Sequence, residues 1–86
     1  MGDHRFKSCE EVIDLLSRGG EIELKYGNTA YSLLPNLDGG VVSSVSVWVS
    51  HKFPLDRINE ICDFIIENKT LNEIVPNSDV VFRPDK

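Results

Sequence analysis

Regular patterning begins at Ser8-Cys9-Glu10-Glu11, a serine followed three residues later by a glutamate, the arrangement that satisfies two orphan N–H groups where a helix starts. Cys9, Val12, Ile13 and Leu16 then recur at helical spacing on one face, Glu10, Glu11 and Asp14 suit the positive end of the helix dipole, and Gly19-Gly20 supplies a stop. This predicts a helix over 9–18. Glu21 to Tyr26 alternates polar and apolar without a break, Gly27-Asn28 offers a two-residue loop, and Thr29 to Leu34 resumes the alternation. The hairpin so predicted pairs Tyr26 with Thr29, Leu24 with Tyr31 and Ile22 with Leu33. Its apolar face collects Ile22, Leu24, Tyr26, Tyr31 and Leu33, and Glu21, Glu23 and Lys25 face water.

Asp38-Gly39 is a second turn signal, followed by a Val-rich and Ser-rich run that reads as one strand over 41–50. A two-residue turn at 38–39 would set Leu33 opposite Ser44 and aim Val45, Val47 and Val49 away from the core. A bulge or longer loop at Pro35, which cannot donate to a ladder, is therefore expected to shift the parity. That shift brings the three valines inside and leaves Ser44, Ser46 and Trp48 on the open face. Phe53-Pro54 opens the longest helical pattern, running to Asn68 with the stripe Leu55, Ile58, Ile61, Cys62 and Ile65. Thr70-Leu71-Asn72-Glu73 repeats the helix-start signature, predicting a short helix over 71–75, and Val80 to Arg83 reads as a last strand. The expected fold is α+β: a small antiparallel sheet of three to four strands covered on one face by two helices, in the order α-β-β-β-α-α-β.

Composition narrows the function classes. Eighty-six residues allow one small core, so 1–86 is read as a single domain with 1–7 a loose N-terminus. No apolar run approaches the roughly 18 residues of a membrane span, and the first residues lack the apolar core of a signal peptide, so a cytoplasmic protein with no membrane association is expected. Fourteen acids against nine bases give a net charge of −5, which opposes direct nucleic-acid binding and favours a partner with a basic surface. Cys9 and Cys62 could pair, but two cysteines are too few for a disulfide framework and both sit in apolar helical patterns, so they are read as buried free thiols. With His4 and His51 as the sole other soft ligands, and no CxxC or HxxxH spacing, neither a metal nor another cofactor is expected. No nucleophile elbow, phosphate loop or buried carboxylate pair is legible, and the chain is read as a non-enzyme with no catalytic residues.

The run Phe6-Lys7-Ser8-x-Glu10-Glu11, then Gly19 to Gly27, Tyr31-Ser32-Leu33 and finally Asn68 to Ile74, resembles short uncharacterised proteins of Gram-positive bacteria and their prophages. The similarity touches about half the chain, at both ends, and has no counterpart for 41–50. It implies a phage-type accessory protein, a class that includes inhibitors of host nucleic-acid-handling and defence proteins such as anti-CRISPR proteins, and it carries over no catalytic motif.

The residues that stand out for binding follow from spacing. Asp56, Glu60, Asp63 and Glu67, 4, 3 and 4 apart, would form one stripe on an α-helix opposite its apolar face. Like charges at i, i+4 repel, so the stripe is either a solvated outer face or a ridge presented to a basic partner. Four carboxylates over about 16 Å fall short of the roughly nine charges duplex DNA carries over that length. Trp48, the single tryptophan, is a candidate contact if it stands on the open face and a core residue if the register is otherwise. Phe64 lies off the apolar stripe, at the core edge or exposed. Two readings result: a protein-binding module that uses Asp56, Glu60, Asp63, Glu67, Trp48 and Phe64, or a structural homo-oligomer, a homodimer at its simplest, built on an exposed sheet edge or face such as the 41–50 strand.

Overall fold

The alternation over 21–34 folds as its pattern dictates. In the computed structural model, which describes residues 5–84, β1 (Ile22–Tyr26) and β2 (Thr29–Asn36) form an antiparallel hairpin with the predicted pairs Ile22–Leu33, Leu24–Tyr31 and Tyr26–Thr29. The helix before it, α1 (Cys9–Ser17), buries Cys9, Val12, Leu15 and Leu16. Its start differs in detail from the expected capping box: the Ser8 side chain makes no cap, and the Glu11 carboxylate instead accepts from the Lys7 N–H.

The second hairpin departs from expectation. Its turn is Leu37-Asp38, so Asn36 pairs with Gly39, Pro35 pairs with Gly40 without a bulge, and Leu33 pairs with Val42. Gly39 opens β3 (Gly39–Ser44) with φ +151, and a Cβ there would overlap the Phe53 carbonyl oxygen, so it belongs to the strand and not to the turn. The parity then reverses the predicted assignment. Ser44 is buried, its hydroxyl donating to the Ala30 carbonyl at 2.6 Å, whereas Val45 is 85% exposed. The expected single strand over 41–50 is two strands: β3, a four-residue loop Val45-Ser46-Val47-Trp48, and β4 (Val49–Pro54). Val47 and Val49 pack only partly against the core.

The strand order is β4-β3-β2-β1-β7, where β7 (Asp79–Phe82) pairs antiparallel with β1 and slips register between Glu23 and Leu24. Five antiparallel strands therefore replace the three to four expected. One face buries Ile22, Leu24, Tyr31, Leu33, Val42 and Phe53 beneath the helical layer. Each large apolar side chain so buried contributes about 1.5–3 kcal/mol. The other face carries Glu23, Lys25, Ser32, Ser43, Ser50 and Lys52, and is uncovered among the described residues.

The second half of that layer is not the α-helix predicted over 53–68. Residues Leu55–Asp63 form a 3-10 helix interrupted by non-helical backbone at Arg57, burying Ile58, Ile61 and Cys62. Ile58 and Ile61 are three apart, the spacing that three residues per turn stacks on one side. Then β5 (Ile65–Ile66) and β6 (Lys69–Thr70) form a tiny hairpin around Glu67 and Asn68, both with positive φ, the geometry of a two-residue loop. A short α2 (Leu71–Ile74) and a 3-10 turn (Val75–Asn77) follow.

The cysteines are also corrected. Cys9 and Cys62 form a disulfide, with Cα atoms 5.8 Å apart, and neither is a free thiol. It joins the start of α1 to the end of the 3-10 helix, and Leu16, near the other end of α1, borders Gly40 together with Ile58 and Ile61. Residues 1–7 were expected to be loose. Residues 1–4, with His4, lie outside the described residues, but Phe6 is buried beneath the Arg83 guanidinium, and Arg5 pairs with Asp79 at 2.8 Å.

Candidate functional site

The acidic residues do not form the predicted single stripe. Asp56, Glu60 and Asp63 are exposed on the 3-10 helix, whose three-residue repeat stacks Glu60 and Asp63 and sets Asp56, beyond the Arg57 break, about a third of a turn aside. Glu67 has left the helix altogether. It sits in the β5–β6 turn, where one carboxylate oxygen accepts from the Tyr31 hydroxyl at 3.4 Å and from the Thr29 hydroxyl at 3.5 Å. Among the described residues Asp56, Glu60 and Asp63 have no ion-pair partner, and the Asp63 carboxylate accepts from the Asn72 side chain at 3.4 Å.

The disulfide places α1 beside them. Glu10, Glu11 and Asp14 are on that helix, but Asp14 is paired with Arg18 at 3.0 Å, and all three share a shallow hollow with Arg18 and Arg83. The α1 side of the layer is thus of mixed charge, and the 3-10 helix carries Asp56, Glu60 and Asp63 against one base, Arg57. On α2, Glu73 is likewise offset by Lys69 at 3.4 Å.

Trp48 and Phe64 part company. Trp48 is 90% exposed, on backbone with φ +57, a left-handed conformation that bulky residues seldom adopt. It closes the β3–β4 loop and, with Val45, Ser43, Ser44, Val49 and Ser50, from both faces of the hairpin, borders a shallow apolar hollow. Phe64 is half-buried: its ring stacks on His51 with centroids 4.9 Å apart and meets Phe53 edge-on at 5.5 Å. Packing explains Phe64, and nothing in the core explains Trp48. The acids lie in the helical layer and Trp48 at the end of the β3–β4 hairpin, so the structure does not gather the candidate residues into one site.

Sequence reasoning missed three features. The disulfide is one, since spacing along a chain says nothing of which cysteines meet. The His51–Phe53–Phe64 cluster is another; His51 lies two residues from Phe53 on β4, a signal that was available. The third is the Tyr31–Glu67 contact. Burial, with the adjacent Glu67 charge, raises the Tyr31 phenol above its ordinary 10.0, while its hydrogen bond with Thr29 opposes this.

Of the 41–50 run, residues 41–44 lie in β3, which is paired on both sides and offers no free edge, whereas 49–50 open β4, an edge strand. The free edges are β4 and β7. Among the described residues no group of three or more His, Cys, Asp or Glu side chains is arranged to hold a metal ion, and no helix is long and apolar enough to cross a membrane. No protein-family model, curated protein or solved structure matches the chain.

Proposed function

We propose that the chain is a small protein-binding module, of the phage-type accessory class, that presents the acidic helical layer to a basic surface of a larger host protein that handles nucleic acid or defends against it. One observation carries this reading: Asp56, Glu60 and Asp63 stand exposed and without ion-pair partners among the described residues, on a segment cross-linked to α1 through Cys62. A charged patch on a braced segment loses little conformational freedom on binding, and the net charge of −5 steers the whole molecule toward a basic partner. From 56 to 63 the 3-10 helix rises about 14 Å, over which duplex DNA carries about eight charges, so three carboxylates suit a local basic patch better than a DNA-binding groove.

The test is retention of a host protein at low salt by the oxidised wild-type chain, read beside the variant Asp56→Lys/Glu60→Lys/Asp63→Lys. The reading predicts a partner released by a salt step and lost in the variant. Equal retention by both chains would contradict it.

A further inference from the structure

The uncovered face of the sheet carries a charge pattern that matches a second copy of itself. Read from the strand registers, its middle row is Ser50, Ser43, Ser32 and Glu23, on β4, β3, β2 and β1. One row toward the Leu37-Asp38 turn lie Lys52, Val41 and Leu34, in line with Glu21 just before β1. One row the other way, Lys25 and Ala30 are paired, and the row ends at the Val45–Trp48 loop. β7 extends the face beyond β1, with Phe82 beside Glu23 and Asp79, paired with Arg5, beside Lys25; within the four strands β4 to β1 the corners are Lys52, Glu21, Lys25 and Trp48, with the two lysines on a diagonal.

We propose that this open face is the interface of a homodimer, two copies packed face to face about a two-fold axis parallel to the strands and above the β2–β3 boundary. That rotation keeps the rows and exchanges β4 with β1. It sets Lys52 against Glu21 of the second copy, Trp48 against Lys25, Ser43 against Ser32, and Glu23 against Ser50. No like charges meet, and the exposed indole gains a cation over its face. The other in-plane two-fold, perpendicular to the strands, stacks Glu23 on Glu23 and is disfavoured. Sheets packed face to face lie about 30° apart, which moves the outer strands by only about 4 Å, within reach of lysine and tryptophan side chains. The exposed, left-handed Trp48, unexplained by the fold, then has an occupant to contact.

Four strands by about six residues make a patch of roughly 400 Å² per copy before side chains, at the low end for a specific interface, so the dimer is weak. The inference does not rest on the acidic-layer reading, since that layer covers the opposite face, and reversal of Asp56, Glu60 and Asp63 leaves it untouched. Sedimentation equilibrium of the folded chain from about 10 µM to about 1 mM, the range in which so small an interface associates, tests it. The wild type dimerises reversibly. Lys52→Glu weakens association by about tenfold, because a two-fold interface uses each contact twice, and Glu21→Lys added to Lys52→Glu restores it. Trp48→Ala weakens it by at least as much. All three positions are exposed, and circular dichroism checks that the variants stay folded. A strict monomer up to about 1 mM, or a dimer indifferent to Lys52→Glu and Trp48→Ala, overturns the proposal.

Discussion

Leu33 and Ser32 are neighbours on β2, yet one is fully buried under the helical layer and the other looks out from a face that the described residues leave uncovered. The same division runs through every long strand: Ile22 and Leu24 against Glu23 and Lys25 on β1, Val42 against Ser43 on β3, Phe53 against Lys52 on β4. The strands do not differ; what covers them does. The helical layer and its disulfide close one face and make it the source of stability, whereas the alternate residues, free of packing demands, carry charge and small hydroxyls.

That contrast can be broken most directly on β2. Leu33→Ala is expected to lower the unfolding free energy by about 3–5 kcal/mol in a denaturant titration, while Ser32→Ala one residue away stays within about 0.5 kcal/mol. Similar losses at both positions would mean that the two faces are not distinct. The next largest effect comes from the clamp. Cys9 and Cys62 lie 53 residues apart, and releasing a loop of that length costs up to about 4 kcal/mol, so reductant should lower the melting temperature by about 10–20 °C. Melting unchanged by reductant would show that the bond does not form.

Trp48 reverses the usual sign. Replacing it by glycine, which adopts a positive φ without strain, should stabilise the monomer by about 1 kcal/mol while weakening self-association. A clear loss of stability instead would place the indole in a contact the fold does not have. The smallest effect is on the covered face at high pH. The folded state holds the Tyr31 proton more tightly than the unfolded state, so its contribution is complete below pH 10.0 and drains away as pH rises from there toward the raised folded value. Stability measured from pH 9 upward should fall in the wild type and fall less in Tyr31→Phe.

The covered face was the more legible of the two. The first hairpin's pairs, including Leu24–Tyr31, could be read because strict alternation and a Gly-Asn loop leave one register that buries the apolar set. The second hairpin was off by one at its turn, since Asp38-Gly39 mimics a loop signal that Gly39 does not serve: it is needed where β3 passes the Phe53 carbonyl. The loop at 45–48 was hidden because Val45, Val47 and Trp48 are strand formers and only Ser46 hints at a turn. At 53–68 the i, i+3, i+4 apolar spacing fits a 3-10 helix as well as an α-helix over so few turns, and the β-branched Ile65-Ile66 before Asn68 was the overlooked sign that the helix stops. The acidic stripe was legible only as residue types; its geometry depended on a helix period that tertiary packing set. Exposure of Trp48 followed from the loop and not from the parity argument that predicted it.

The sheet divides a packed face from an open one, and the proposed homodimer puts Trp48 on the open side. Because the chain has one tryptophan, acrylamide quenching of its fluorescence reports on that face alone. The proposed dimer predicts an indole that is fully accessible in dilute solution, becomes protected as concentration rises, and in Lys52→Glu becomes protected only at about tenfold higher concentration. An indole shielded even in dilute solution, or one equally accessible at every concentration, would contradict it.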